Sequence, residues 1–76
     1  MTKEEVKNKI LGFIEAVESI EIESEFQSLR ESGLDSLGLV SVIVSIEQEF
    51  GIEFLPDDLE PIDTLDGLIR LTEKYL

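Results

Sequence analysis

The 76-residue sequence has no cysteine and no histidine, and only six of its residues are lysine or arginine. Without cysteine the chain has no disulfide, no thiolate nucleophile and no zinc-finger site. Without histidine it lacks the commonest side chain for proton transfer near neutral pH. Its 18 acidic residues give a formal charge of −12. This charge disfavours a nucleic-acid partner, because binding to phosphates depends on Lys and Arg.

Long apolar runs are missing as well. The uncharged stretch at residues 37–46 is too short to span a bilayer, so no membrane span is expected. The charged start, residues 1–9, lacks the apolar centre of a secretory signal, which favours a soluble, cytoplasmic protein. With 42% apolar residues the chain can build one small core, and we expect a single domain over residues 1–76. So small a domain favours a binding or carrier module, acting as a monomer, over an enzyme.

The first third of the chain predicts a helix followed by a long connection. Thr2 and Glu5 have the spacing of a capping box. The apolar residues that follow have the spacing of one face of an amphipathic helix, which predicts a helix from about residue 3 to residue 17. They are Val6, Ile10, Phe13, Ile14 and Val17. We interpret residues 18–34 as a long loop anchored by Phe26 and Leu29. A short irregular helix around residues 26–29 is the alternative.

The apolar centre, residues 37–46, is compatible with a strand or a helix when it is considered alone. Its Val and Ile content and a period of two favour a strand. Asp35 as an N-cap and Gly51 as a C-terminal stop favour a helix. Helical spacing of the apolar side chains decides for the helix, on Leu39, Val42, Ile43, Ile46 and Phe50.

The last third predicts a short helix and a final longer one. Pro56 begins a single helical turn over residues 56–59, and Asp63 or Thr64 caps the last helix. The core face of that helix is predicted to comprise Leu65, Leu68, Ile69, Leu71, Thr72 and Leu76. The predicted fold class is all-α, a small four-helix bundle of three main helices and one short helix, with a long first loop.

The most informative local feature is the segment from Gly33 to Leu37. Ser36 is expected in the first turn of the central helix, where free backbone N–H groups and the helix dipole favour a phosphate ester. Gly33 allows a tight turn, and Leu34 and Leu37 are expected to anchor the chain on either side of the serine. Asp35 alone is a weak base for an alcohol. By itself, a serine beside an aspartate at a helix start is more often just a cap.

Together with the apolar central helix and the sequence Phe50-Gly51-Ile52 behind it, this segment resembles the carrier-protein family of acyl carrier proteins and their peptidyl and polyketide relatives. The resemblance extends over the whole chain in length, acidity, helix order, long first loop and the Pro56-Asp57 turn. It implies that a phosphopantetheinyl transferase attaches 4′-phosphopantetheine from coenzyme A to Ser36, and that Asp35 assists this metal-dependent step. The chain would then carry acyl groups as thioesters for partner enzymes of fatty-acid, polyketide or related biosynthesis. It would have no catalytic residue and no metal site of its own.

The distribution of charge suggests basic partners. No Lys or Arg lies between Arg30 and Arg70, whereas ten acids do. Such a surface steers partners with basic docking patches, although it also serves solubility. Fatty-acid carriers commonly have several acids just after the serine, but here those positions are Gly38, Ser41 and Ser45, and the first acid is Glu47. This departure puts a housekeeping fatty-acid role in doubt.

The central helix also has an apolar face whose role is open. Leu37, Val40 and Val44 share that face, either as a docking stripe or as part of a broad core face. We predict partner binding by these three residues and Glu47.

Two other functions compete with the carrier. An acidic interaction module that mimics nucleic acid and blocks a basic protein explains the charge, but it leaves residues 33–37 without a purpose. A calcium binder is disfavoured, because no segment has the ligand spacing of an EF-hand loop.

Overall fold

Four helices and no strands make up the computed structural model, which describes all of residues 1–76. They are α1 (Lys3–Val17), α2 (Ser36–Phe50), α3 (Pro56–Leu59) and α4 (Leu65–Tyr75). The predicted all-α fold of three main helices, one short helix and a long first loop is confirmed.

Helix α1 begins at a complete capping box. The Glu5 N–H donates to Thr2 Oγ1 at 3.1 Å, and the Thr2 N–H donates to Glu5 Oε1 at 3.3 Å. The Thr2 N–H and the Thr2 hydroxyl both donate to Glu5 Oε1, and these two bonds hold the pKa of the Glu5 carboxylate below its usual value. Val6, Ile10 and Ile14 are buried, and the predicted bounds are confirmed. Val17, at the end of the apolar face, is 38% exposed, because it is the last helical residue, where the chain turns away.

Helix α2 forms instead of a strand because both of its ends are specified locally. Asp35 Oδ1 accepts a hydrogen bond from the Gly38 N–H at 2.7 Å. Gly51 ends the helix in the left-handed region at φ 66°, ψ 39°, a conformation that favours glycine. The predicted core residues Leu39, Val42, Ile43 and Ile46 are buried, and Phe50 is half-buried.

The first loop, residues 18–35, contains turns but no helix. Leu29 is fully buried, and its N–H donates to the Asp63 carbonyl at 2.7 Å, so this anchor is confirmed. Phe26 is 70% exposed, so its predicted anchoring role was wrong. The half-buried Ile20 and Ile22 pack against the core in its place.

One amide side chain orders much of this loop. Gln27 Oε1 accepts from the backbone N–H groups of Glu23 at 2.8 Å and Ser24 at 2.9 Å. Gln27 Nε2 donates to the Glu21 carbonyl at 3.0 Å and to Ser32 Oγ at 2.7 Å. These four bonds supply partners that a helix or sheet would otherwise provide.

Helix α4 completes the core. Thr64 is its N-cap and accepts from the Gly67 N–H at 3.0 Å, which decides between the two predicted caps. The predicted face is buried at Leu65, Leu68, Ile69, Leu71 and Thr72. Leu76 is 57% exposed because it follows the end of the helix, so its assignment to this face was wrong. None of the helices combines the length and the apolar character needed to cross a membrane.

The short helix α3 has no buried residue and depends on Tyr75 at the end of α4. The Tyr75 hydroxyl donates to Asp58 Oδ2 at 2.6 Å and accepts from the Leu55 N–H at 3.1 Å. The Tyr75 ring meets the Phe54 ring edge-on, with centroids 5.0 Å apart. The hydrogen bond to Asp58 raises the pKa of the Tyr75 hydroxyl.

Candidate functional site

The start of α2 presents a serine hydroxyl to solvent. Gly33 has a φ of 118°, and a Cβ there would lie 3.0 Å from Ile20 Cγ2, so the turn requires glycine. Leu34 is fully buried and Asp35 caps the helix, which leaves Ser36 exposed as the first helical residue. Leu37 is 80% exposed, so the expectation that it anchors the chain was wrong.

Backbone polarity at this helix start favours negative charge. The N–H groups of Ser36 and Leu37 have no protein acceptor, whereas those of Gly38 and Leu39 bond to Asp35. Free N–H groups and the positive end of the helix dipole stabilise an anion bonded to the serine oxygen. The chain has no histidine, so no imidazole is available beside Ser36 to act as a base for its hydroxyl.

A groove of about 430 Å³ opens beside Ser36. Its walls come from the end of the first loop, one side of α2 and the α3 region, with the lining residues Arg30, Ser36, Leu39, Val40, Ile43, Pro56, Leu59 and Glu60. Apolar side chains from α2 and α3 make up much of this wall, and Arg30 is its only cation. The groove therefore offers apolar surface and one positive charge next to an accessible hydroxyl.

A larger groove, of about 560 Å³, lies between α1 and the first loop and does not include Ser36. One of its lysines, Lys7, is already bound, with Nζ 3.0 Å from Glu25 Oε2. That hydrogen bond raises the pKa of Lys7. The exposed serine of this groove, Ser24, already accepts from the Phe26 N–H at 3.1 Å and does not begin a helix, so we assign the functional site to the smaller groove.

The apolar face of α2 is exposed and does not belong to the core. The exposed fractions are 80% for Leu37, 55% for Val40 and 41% for Val44. Glu47 is half-buried, and its Oε2 accepts from the Phe54 N–H at 2.8 Å, so it also holds the segment after α2.

The acids between Arg30 and Arg70 fall into two groups. Several have intramolecular partners: Asp35, Glu47, Glu49, Asp58, Asp63 and Asp66 bond to backbone N–H groups, hydroxyls or cations. The remaining four are exposed: Glu31, Glu53, Asp57 and Glu60. No group of three or more acids is arranged to hold a metal ion.

Comparison with known proteins decides the family. The family described as phosphopantetheine attachment site matches residues 6–72. A protein from Coprothermobacter proteolyticus named acyl carrier protein is 38% identical over 73 residues, covering 96% of this chain and 88% of the relative. The chain belongs to the acyl carrier protein family.

Two further acyl carrier proteins match over nearly the whole chain. The one from Thermotoga maritima is 31% identical, over 99% of this chain and 96% of the relative. The one from Solidesulfovibrio magneticus is also 31% identical, over 93% of this chain and 90% of the relative. The predicted family is thus confirmed, and with it a covalently attached 4′-phosphopantetheine as the prosthetic group of this acyl carrier protein.

The residues at the start of α2 fit that prosthetic group. Attachment needs an accessible hydroxyl, room beside it and surroundings that tolerate a phosphodiester anion. Exposed Ser36, the adjoining groove, the free N–H groups and Arg30 meet these needs. In the sequence, Arg30 was noted only as the start of the stretch, up to Arg70, that has no Lys or Arg. The missed signal is that Arg30 is the sole cation between Lys9 and Arg70.

Proposed function

We propose that this acyl carrier protein bears its 4′-phosphopantetheine on Ser36, carries acyl groups as thioesters, and presents them to enzymes of fatty-acid, polyketide or related biosynthesis. The observation that carries the proposal is the exposed hydroxyl of Ser36 at an open helix start beside a partly apolar groove. The arm supplies the thiol that this cysteine-free chain lacks.

In this proposal the chain positions Ser36 and its prosthetic group, and partner enzymes catalyse the reactions. Ser36 has no adjacent base other than Asp35, whose carboxylate already accepts from the Gly38 N–H. A phosphopantetheinyl transferase therefore has to activate the hydroxyl, and we assign to Asp35 a supporting role in that metal-dependent step. In this proposal the chain has no catalytic residue and no resident metal.

The proposal treats residues 1–76 as one domain that acts as a cytoplasmic monomer. A single cluster of 14 buried apolar residues draws on all three long helices and on the first loop, which supports one folding unit. The surface charge of −12 supports a monomer, because copies of the same chain repel one another.

Partner enzymes are proposed to dock on the exposed face of α2. Leu37, Val40 and Val44 supply apolar contact next to Ser36, and the exposed Glu60, which lines the same groove as Val40, attracts basic patches. Glu47 contributes charge at the far end of this face while it holds the Phe54 N–H.

The attachment site is tested by mass spectrometry. The purified protein is incubated with coenzyme A, Mg²⁺ and a broad-specificity phosphopantetheinyl transferase, then weighed intact. We expect one phosphopantetheine adduct on the wild type and on Ser41→Ala, an exposed serine of the same helix, and none on Ser36→Ala. An adduct on Ser36→Ala, or no adduct on the folded wild type, contradicts the proposal.

The docking face is tested by kinetics of the same attachment. Leu37→Ser combined with Val40→Ser is expected to raise the KM for the carrier while the fold is retained, because both side chains are exposed. Leu76→Ser, another exposed apolar residue, is the control and should leave the KM unchanged. Equal KM values for all three proteins contradict docking on α2.

The acidic nucleic-acid mimic remains the alternative function. Family membership and the exposed hydroxyl favour the carrier, since a mimic needs neither. If no adduct forms, competition between the protein and DNA for a basic partner is the next measurement.

A further inference from the structure

We propose that Arg30 binds the phosphodiester of the prosthetic group and so holds the proximal end of the arm against the groove between the first loop, α2 and α3. The inference rests on the proposed attachment at Ser36. It assigns a ligand-binding role to a loop residue that lies outside the attachment motif.

Asp63 holds the backbone of Arg30 in place. Asp63 is the residue that precedes Thr64, the N-cap of α4. The Arg30 N–H donates to Asp63 Oδ1 at 3.1 Å, and the neighbouring Leu29 N–H donates to the Asp63 carbonyl at 2.7 Å. Leu29 itself is fully buried. The base of the arginine side chain is therefore held firmly, and the side chain lines the same groove as Ser36.

The guanidinium of Arg30 is available to a ligand. Its Nε lies 4.0 Å from Asp63 Oδ1, which is too far for a hydrogen bond, and the side chain is 54% exposed. Asp63 does not depend on this contact, because its carboxylate already accepts from the Arg30 N–H and from the Ser28 hydroxyl. A guanidinium has five donors in a planar fork that matches two phosphate oxygens.

The electrostatics of the groove favour this pairing. A phosphodiester on Ser36 adds a negative charge to a chain that already has a net charge of −12, close to Asp35 and to Glu60 in the groove wall. Arg30 is the only cation that lines this groove. The four other cations with carboxylate partners lie elsewhere: Lys7 with Glu25, Lys9 with Glu49, Arg70 with Asp66, and Lys74 with Asp58.

The chain has only two arginines, and this makes a matched experiment possible. In ¹⁵N-labelled protein the Nε–Hε signals of Arg30 and Arg70 are recorded by NMR before and after attachment of phosphopantetheine. The ³¹P signal of the phosphodiester is recorded in wild type, Arg30→Gln, Arg30→Lys and Arg70→Gln. Arg70→Gln is the control, because it removes the same charge from the exposed side of α4, where Arg70 Nε pairs with Asp66 at 2.9 Å.

Attachment is expected to shift the Arg30 Nε–Hε signal and to leave that of Arg70 in place. The ³¹P signal should move in Arg30→Gln, move less in Arg30→Lys, which keeps the charge but loses the planar fork, and stay unchanged in Arg70→Gln. Salt at about 1 M should reduce the difference between wild type and Arg30→Gln, because charges are then screened within about 3 Å. Circular dichroism of each variant checks that the fold is retained.

The possible failures are distinguishable. If intact mass shows phosphopantetheine on Ser36 in every variant but the Arg30 and ³¹P signals do not respond, the role of Arg30 is wrong and the attachment site stands. If the mass shows no adduct, or one on a residue other than Ser36, the proposed function fails and the contact with Arg30 fails with it.

Discussion

Helices α2 and α4 begin with the same kind of cap, but the first residue is exposed in α2 and buried in α4. Each has an N-cap oxygen that accepts from a glycine N–H at the third helical position: Asp35 to Gly38 at 2.7 Å, and Thr64 to Gly67 at 3.0 Å. In α4 the first residue, Leu65, is buried. In α2 the first residue is the exposed Ser36.

The backbone N–H groups in the first turns of α2 and α4 also differ in whether they have acceptors. In α4 the second N–H, that of Asp66, donates to the Glu25 carbonyl of the first loop at 2.8 Å. The equivalent N–H in α2, that of Leu37, has no protein acceptor. A capped helix start is therefore not a functional signal in itself. It becomes one where the rest of the chain leaves the first turn uncovered.

Substitution of the first helical residue should affect stability far more in α4 than in α2. Leu65→Ser should lower the free energy of unfolding by about 2–5 kcal/mol, because it removes a side chain that is only 1% exposed. Ser36→Leu should change it by less than about 0.5 kcal/mol, since that position is exposed. Urea unfolding measures both, and Leu65→Val provides a milder substitution should Leu65→Ser not fold. Similar losses in the free energy of unfolding at Leu65 and Ser36 would contradict the finding that α4 begins with a buried residue and α2 with an exposed one.

The glycines at the third positions of α2 and α4 differ in the space around them for an added Cβ. A Cβ on Gly38 would lie 2.8 Å from Cδ1 of the buried Leu34, whereas one on Gly12 meets nothing within 4 Å. Gly12→Ala should stabilise the protein by up to about 1 kcal/mol through helix propensity. Gly38→Ala should destabilise it by about 1 kcal/mol net, because crowding outweighs the same gain. Gly67→Ala should be nearly neutral, since its nearest contact would be 3.2 Å. Thermal melts of the three variants rank them, and a stabilised Gly38→Ala would disprove the crowding.

Substitutions of the N-caps Asp35 and Thr64 should have similar effects on stability but different effects on phosphopantetheine attachment. Asp35→Ala and Thr64→Ala should each cost about 1 kcal/mol in the free energy of unfolding. Of these two variants, Asp35→Ala is expected to slow phosphopantetheine attachment and Thr64→Ala is not. Asp35→Asn keeps an oxygen for the Gly38 N–H, so it should be stable but slow, and equal attachment rates in all three variants would remove the proposed role of Asp35.

The smallest effect concerns α3, which forms part of the wall of the groove beside Ser36. Tyr75 holds α3, and the pKa of its hydroxyl is raised by the hydrogen bond to Asp58. A raised pKa means that the stabilisation is complete below the unfolded value, about 10, and is lost as the pH rises through the folded value. The stability difference between wild type and Tyr75→Phe should therefore be constant at lower pH and shrink above about pH 10. Lys7, whose pKa is also raised, is common to both proteins, so urea unfolding in parallel isolates the tyrosine. A difference that stays constant while the pH rises through the titration of the tyrosine would show that the hydroxyl does not hold α3.

The helix bounds could be predicted because their determinants are local. The Thr2 capping box, the Asp35 cap and the left-handed Gly51 act within a few residues of the helix ends they define. The wrong assignments of Phe26 and Leu76 have the opposite origin. Burial there depends on where a loop or a chain end passes over the core, and periodicity carries no information about that.

The site was predictable to the extent that it lies in one segment. The serine, its cap and the tight turn at Gly33 are consecutive in sequence. The groove joins Arg30 to Pro56 and Glu60, residues that only the tertiary fold brings together. Sequence therefore indicated the proposed attachment residue but not the groove wall beside it.

The hydrogen bonding of Gln27 has a practical consequence. Because one amide serves four positions of the segment between α1 and α2, that segment keeps its shape without a continuous apolar pattern. An engineer grafting new recognition residues there has to retain a single glutamine and the buried Leu29, and is free to redesign exposed positions such as Phe26.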